Sequence, residues 1–283
     1  MDNINNFDNI RGVLMSKVEE IVHIIPLGHE FDRVVKPFEK MKANRVYLMT
    51  ILDLKNVSYI SEEMSRRQRY FLDRVKKALE EKGIEVKVQH ANIFDMLDVL
   101  GKVSRIIRKE RERGNIVYVN MSGAGRLTSV AATLAAMAHR AKAYYVVAER
   151  YSKTKQEEDE HGLSICKEPK IRYLTNLPID MPNEISLRLL ARLSKEERGM
   201  KTKDIVNFLK ELGIEDFDEE RLEPKVRKDR RRTEQTLLNR LNKKILDKLE
   251  RKGYIKREKI GRCNIIRVTE SGRYMAYLGG FIE

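Results

Sequence analysis

Residues 116–127 read IVYVNMSGAGRL, and how this stretch is read decides the fold. Ile116–Asn120 is a short β-branched and aromatic run of the kind that forms a buried strand. It stops at Asn120 and gives way to Met121-Ser122-Gly123-Ala124-Gly125, a turn of small residues. Arg126 and Leu127 then lead into an Ala-rich helical segment, Leu127–Ala141. Strand, small-residue turn and helix in that order belong to a βαβ unit with parallel strands.

The same alternation extends outward in both directions. Further strand-like runs are Ile21–Ile25, Arg45–Ile51, Ile84–His90, Ala143–Glu149 and Lys170–Leu174. Helical segments fall at about Glu30–Lys42, Glu62–Lys82 and Ile93–Arg113. The second of these carries Phe71, Val75, Ala78 and Leu79 at helical spacing and stops at Gly83. The pattern predicts an α/β fold, a Rossmann-like open and mainly parallel sheet. Ala143–Glu149 and Lys170–Leu174 have no helix pattern between them, so they read as a terminal hairpin. The highly charged Tyr151–Pro169 is expected to be its mobile tip, with His161 and Cys166 exposed on it.

Open α/β sheets bind ligands beyond the carboxyl ends of their strands. Two loops fall there: Pro26-Leu27-Gly28-His29-Glu30-Phe31-Asp32-Arg33 and Asn120-Met121-Ser122-Gly123-Ala124-Gly125-Arg126. Small residues let backbone N–H groups approach a phosphate or ribose, and a helix N-terminus adds positive partial charge. Ser122 can donate a hydrogen bond, and Arg126 offers a cation to an anionic ligand. A dinucleotide fingerprint fails, because Thr128 stands where its third glycine belongs. A nucleophile elbow fails because Asn120 replaces its first glycine. A turn that needs small residues only for packing accounts for the pattern as well as a nucleotide-type ligand does.

Charge separates the two halves. The chain of 283 residues has 57 Lys+Arg against 43 Asp+Glu, a net charge of +14. From Arg221 to Arg273 there are 19 Lys+Arg against 7 Asp+Glu, a local charge of +12, which leaves +2 for the other 230 residues. A heat-adapted surface would spread its charge, whereas a phosphate-binding face concentrates it. In this half Glu184–Leu193 and Lys201–Leu212 read as helices, and a long helix carries the stripe Leu237, Leu238, Leu241, Ile245, Leu246, Leu249. Tyr254–Ile260 and Cys263–Val268 form a hairpin around Gly261-Arg262, and Thr269–Leu278 is a last short helix. The order predicts a winged helix-turn-helix whose long helix enters the major groove of double-stranded DNA. Candidate DNA contacts are Arg230, Arg231, Arg232, Thr236, Asn239, Arg240, Lys243 and Lys244, with Arg262 at the wing tip. A winged helix used only for protein contact is the alternative.

The expected division is a tail at 1–19, a ligand domain at 20–176, a linker at 177–183 and the DNA-binding domain at 184–283. Met15 is as plausible a start as Met1. The acidic, Asn-rich first residues have no signal-peptide order, and no apolar run is long enough for a bilayer, so a cytoplasmic location without membrane contact is expected. Cys166 and Cys263 cannot build a disulfide framework. The five histidines have no ligand spacing, so no metal is expected. His23 and His90 lie in strands and read as structural. Asp53, beyond the second strand, could accept a ribose hydroxyl or cap a turn.

With both halves described, the chain resembles the archaeal regulators that join a CRISPR-associated Rossmann-fold (CARF) sensor domain to a winged helix-turn-helix. Val22–Gly28 with Glu30–Arg33 downstream carries the likeness, together with Asn120–Gly125, similar to the family's Asn-x-Ser/Thr-Gly-Gly signature with Ala124 at the second glycine. The resemblance implies a transcriptional regulator, homodimeric, with one pocket across the two-fold axis. The implied ligand is a cyclic oligoadenylate, foremost cyclic tetra-adenylate, whose symmetry matches a dimer. On this reading Gly28, His29 and Arg33 would contact it from the first loop. Asn120, Met121, Ser122, Gly123, Ala124, Gly125 and Arg126 would do so from the second. No cofactor and no dedicated catalytic residue is expected. Slow ring cleavage assisted by Ser122 or Arg126, as a ring nuclease or RNA-cleaving enzyme, is the alternative.

Overall fold

A computed structural model describes residues 18–51, 61–261 and 263–282. Its N-terminal sheet has six strands. They are β1 (Ile21–Pro26), β2 (Arg45–Thr50), β3 (Glu85–His90), β4 (Ile116–Asn120), β5 (Lys142–Val147) and β8 (Lys170–Tyr173) in the order β3-β2-β1-β4-β5-β8. The first five are parallel, and β8 runs antiparallel to β5. The expected Rossmann-like, mainly parallel sheet is therefore present. β1 and β2 are buried along nearly their whole length, as strands covered on both faces must be.

Helices cover the sheet. α2 (Glu62–Glu80) buries Phe71, Val75 and Leu79; α3 (Met96–Glu112) buries Val99, Leu100, Val103 and Ile107. α4 (Arg126–Ala138) buries Ala131, Ala132, Ala135 and Ala136 against the sheet. The helix expected over Glu30–Lys42 is shorter. α1 (Asp32–Val35) passes into a 3-10 turn at Lys36–Glu39, because Pro37 has no N–H to continue an α-helix.

The segment between β5 and β8 corrects the expected mobile tip. It folds into β6 (Arg150–Tyr151), α5 (Lys155–His161) and β7 (Ser164–Ile165), pinned to the rest of the domain. Gly162 bridges to Glu30, Cys166 N donates to Asp32 Oδ2 at 3.0 Å, and His161 Nδ1 lies 3.2 Å from the same oxygen. Arg67 and Arg74 of α2 bind Glu158 and the Asp159 carbonyl. Cys166 is fully buried, not exposed, because this network draws it inward.

The C-terminal domain begins with α6 (Glu184–Ser194), β9 (Met200–Lys201) and α7 (Thr202–Glu211). A segment with two 3-10 turns and α8 (Pro224–Arg227) leads to α9 (Arg230–Leu241). A π-turn at Asn242–Leu246 joins α9 to α10 (Asp247–Arg251), so one long helix keeps Leu237, Leu241, Ile245, Leu246 and Leu249 buried. β10 (Ile255–Ile260) and β11 (Cys263–Val268) pair antiparallel, and β9 adds a third strand beside β11. α11 (Glu270–Leu278) closes the domain.

α11 also closes on the first domain. Leu278 belongs to the core around α3 and α4, while Ala276 belongs to the core of the C-terminal domain. His139 Nε2 at the end of α4 lies 2.7 Å from the Leu278 carbonyl. The Arg108 guanidinium of α3 stacks 3.8 Å from the Phe281 ring, and Arg188 of α6 lies over the same ring at 4.6 Å. The linker at 177–183 is thus not the only connection between the halves. Among the described residues no helix is long and apolar enough to cross a membrane.

Candidate ligand cavity and nucleic-acid interface

β1 lies between β2 and β4, so the chain reverses its order across the sheet at the β1/β4 pair. The loops after these strands meet there: Gly28 N donates to the Gly123 carbonyl at 2.7 Å. A Cβ on Gly123 would sit 2.5 Å from the Pro26 carbonyl oxygen, so close backbone approach requires glycine at this position. A Cβ on Gly125 would meet nothing, because this residue, the N-cap of α4, faces open space. Beside the two loops is a cavity of about 250 Å³, lined by Gly28, His29, Gly123, Ala124 and Gly125.

The remaining predicted ligand residues take other places. Asn120 donates from Nδ2 to the Arg33 carbonyl at 3.0 Å and accepts from Ser122 N at 2.8 Å. Ser122 Oγ accepts from Val146 N at 2.6 Å and is buried. The polar atoms of both side chains are therefore taken up in shaping the turn. Arg33 is 7% exposed; its Nε donates to the Val146 carbonyl at 2.9 Å, and its guanidinium lies over Tyr145. It braces the first loop against β5 and does not line the cavity. Met121 is anchored by its backbone, N to the Tyr144 carbonyl at 3.0 Å. Arg126 is exposed in the first turn of α4, where no hydrogen bond or ion pair holds it among the described residues. Asp53 lies outside the described residues.

The cavity has walls that the loop motifs do not reveal. Gln68 of α2 donates to the Leu27 carbonyl at 2.9 Å and to Thr50 Oγ1 at 2.7 Å, holding the first loop to the end of β2. Met64, Phe94 and Leu163 bring apolar side chains to its rim, each more than a third exposed. Glu30 is a buried carboxyl in the wall. Burial pushes its pKa up to about 7, against the opposing effects of Ser164 Oγ at 2.7 Å and the Arg33 guanidinium. His29 stacks on Phe71 at 5.6 Å, and burial together with the nearby Arg67 lowers its pKa, so the ring is neutral at pH 7. Apolar side chains beside a helix N-terminus suit a flat heteroaromatic base joined to an anionic group.

On the C-terminal domain, Asp229 caps α9 by accepting from Arg231 N and Arg232 N. Arg230, Arg231 and Arg232 project to solvent, Arg230 within 3.8 Å of Glu234 and Arg232 within 3.5 Å of Asp229. Along the outer face of α9, Asn239 and Lys243 are exposed and Thr236 is half-buried. Gln235, which the sequence reading did not include, lies on the same face and donates to Asn239 Oδ1 at 3.1 Å. Arg240 and Lys244 point elsewhere. Arg240 Nη1 donates to the Asp216 carbonyl at 2.9 Å, and Lys244 Nζ to Asp216 Oδ1 at 2.7 Å. The acidic segment before α9, anchored in the core by buried Phe217, draws both cations to the flank of the helix. Arg262 lies outside the described residues.

Residues 185–280 match the family model described as the DUF6293 C-terminal winged helix domain. The C-terminal domain is a winged helix. Residues 21–151 match a second model, described as HFX_2341_N:-like, N-terminal. A Rossmann-like α/β domain followed by a winged helix, the architecture implied by the sequence resemblance, is the architecture of this chain. One curated relative is the uncharacterized protein MJ1513 of Methanocaldococcus jannaschii, 27% identical over 206 residues. That match covers 70% of this chain and spans 58% of the relative's length. Among solved structures, Can2 from Sulfobacillus thermosulfidooxidans in complex with cyclic tetra-adenylate aligns with a TM-score of 0.37 and 12% identity. The alignment covers 92% of this chain and 64% of that one. Csm6 from Enterococcus italicus, bound to cyclic hexa-2′-fluoro-hexa-dAMP, gives 0.39 and 11% over 83% and 56% of the two chains. Protein VC1899 from Vibrio cholerae gives 0.38 and 13%, over 92% and 66%.

Proposed function

We propose that this chain is a ligand-responsive DNA-binding transcriptional regulator whose α/β domain binds a cyclic oligoadenylate, foremost cyclic tetra-adenylate, at a homodimer interface. The observation that carries the reading is the cavity at the β1/β4 switch point, walled by backbone of Gly28 and Gly123–Gly125 with apolar faces opposite. Phe94, Met64 and Leu163 suit adenine faces, and Arg126 with the first amides of α4 suits phosphate. At about 250 Å³ the cavity is smaller than the roughly 300–1,000 Å³ that hold a drug-sized ligand. One chain therefore provides part of a site for a four-nucleotide ring, which favours a pocket completed by a second copy.

The cavity and the winged helix are physically joined. Phe94 precedes α3, which packs on α11 from Gly101 onward, and Gly125 caps α4, whose far end reaches α11 through His139. A ligand that moves the starts of α3 and α4 biases the position of α11, and with it the spacing of two winged helices in a dimer. Calorimetry of the chain with cyclic tetra-adenylate, paired with duplex-binding titrations with and without it, tests the reading. One ring bound per two chains and a changed duplex affinity are expected; no heat of binding would overturn it.

Ring cleavage is a second reading favoured by one observation. Glu30, a buried carboxyl with a pKa near 7 in the cavity wall, has the proton affinity of a general acid or base at neutral pH. Chromatography of the ligand after prolonged incubation separates the two: intact ring supports the regulator, and rapid linear product supports the enzyme.

A further inference from the structure

We propose that Gln235 and Asn239 are the base-reading pair of the winged helix and that they select two adenines within two base-pair steps of each other. The inference rests on the DNA-binding reading above and assigns its sequence preference. Both residues are exposed on α9, one helical turn apart, and the Gln235 Nε2–Asn239 Oδ1 bond of 3.1 Å holds the two amides together, facing outward. Four residues advance about 6 Å along a helix. That is less than two base-pair steps of about 3.4 Å each.

An amide carries one donor group and one acceptor, and adenine presents the complementary pair, N7 and N6–H₂, in the major groove. Guanine presents two acceptors there and cytosine a lone donor, so each satisfies only half of an amide. Of the arginines of α9, which could read guanine bidentately, Arg240 is held away from the outer face, and the others stand about a turn before Gln235. Arg240 binds the Asp216 carbonyl, while Arg230, Arg231 and Arg232 project to solvent in the first turn of the helix, where they suit phosphate. Lys243, one turn beyond Asn239, supplies charge without a planar fork. Thr236 sits between the two amides in sequence, and its methyl suits the thymine paired with either adenine.

The test is selection of binding sites from a random duplex library by the full chain, with and without cyclic tetra-adenylate, followed by sequencing. Two adenine positions within two steps are expected, each preferred about tenfold. Gln235→Ala and Asn239→Ala should each flatten one position and leave salt-dependent, sequence-independent binding intact. Asn239→Arg should convert its position to guanine. Both side chains face solvent, so helical content and melting temperature should stay at wild-type values in all three variants. A motif without adenine, or one unchanged in the alanine variants, overturns the assignment while duplex binding itself stands. Failure of the chain to bind any duplex overturns the DNA-binding reading, and the assignment with it.

Discussion

The ring of Tyr277 closes over Gly101: a Cβ on Gly101 would lie 2.8 Å from Tyr277 Cδ1. Gly101 is on α3, whose N-terminal approach carries Phe94 at the cavity, and Tyr277 is on α11 of the winged helix. The absence of a side chain at one position lets a helix of one domain seat on a helix of the other.

Gly101→Val should therefore overpack this seam and lower stability by about 1–3 kcal/mol in calorimetric melting. Tyr277→Ala in the same chain should recover part of the loss, since the two positions touch and their effects are not additive. If α11 transmits the ligand signal, Gly101→Val should also shrink the change in duplex affinity that cyclic tetra-adenylate causes. An unaltered ligand effect would rule out this route.

Acid should destabilise the fold through His23. The ring is buried, stacked on Tyr118 at 4.9 Å, with its nitrogens 3.1 Å from Tyr144 OH and the Lys42 carbonyl. Burial lowers its pKa from 6.5 to about 4, so the unfolded chain takes up the proton first. Stability from the neutral ring is complete above pH 6.5 and is lost as pH falls towards 4, by on the order of 3 kcal/mol. Melting temperature against pH checks this. His23→Gln should be less stable at neutral pH and show a flatter acid limb.

Glu30 acts in the opposite sense. Its folded pKa lies above its unfolded value of 4.5, so its contribution is complete below 4.5 and is lost as pH rises through about 7. Ionised Glu30 would also repel an anionic ligand in the cavity. Affinity for cyclic tetra-adenylate should thus fall between pH 6 and pH 8. In Glu30→Gln, which keeps an acceptor for Ser164, calorimetry at the two pH values should show a smaller difference.

Arg240 and Lys243 should behave differently although they stand three positions apart. Lys243 is exposed on the outer face, so Lys243→Ala should reduce the slope of log affinity against log salt by about 1. Arg240 is held by the Asp216 carbonyl, so Arg240→Ala should change duplex binding little and instead loosen the segment around Asp216. Hydrogen exchange at residues 214–218 would report that loosening. A large loss of duplex binding in Arg240→Ala would mean that the ion leaves Asp216 when DNA is present.

The elements themselves were legible because they rest on local rules. β4 begins and ends at the residues that its β-branched run marks, and the two alternating runs near the C-terminus pair as the antiparallel strands β10 and β11. The departures have local or distant causes that can be named. Pro37 divided one helix, and the two-residue strand β9 is too short for any period to register. At the site, glycine positions were readable and polar roles were not. Asn120 and Ser122 look like ligand contacts until their partners, the Arg33 carbonyl and Val146 N, are brought beside them from 87 and 24 positions away. Gln68, Phe94 and Leu163 carry no motif and join the cavity only through packing.

By itself the sequence determined what depends on neighbours along the chain: strand and helix periods, the Gly-rich turn after β4, and the concentration of positive charge beyond Arg221. Only the tertiary structure decided which polar and charged groups remain available. Arg33 and Arg240 became braces, Arg126 and Asn239 stayed at the surface, and α11 became the seam of two cores. The physical reason is that a buried donor or acceptor must find a partner, and the partner here usually comes from a distant part of the chain. Periodicity along the sequence carries no record of that pairing.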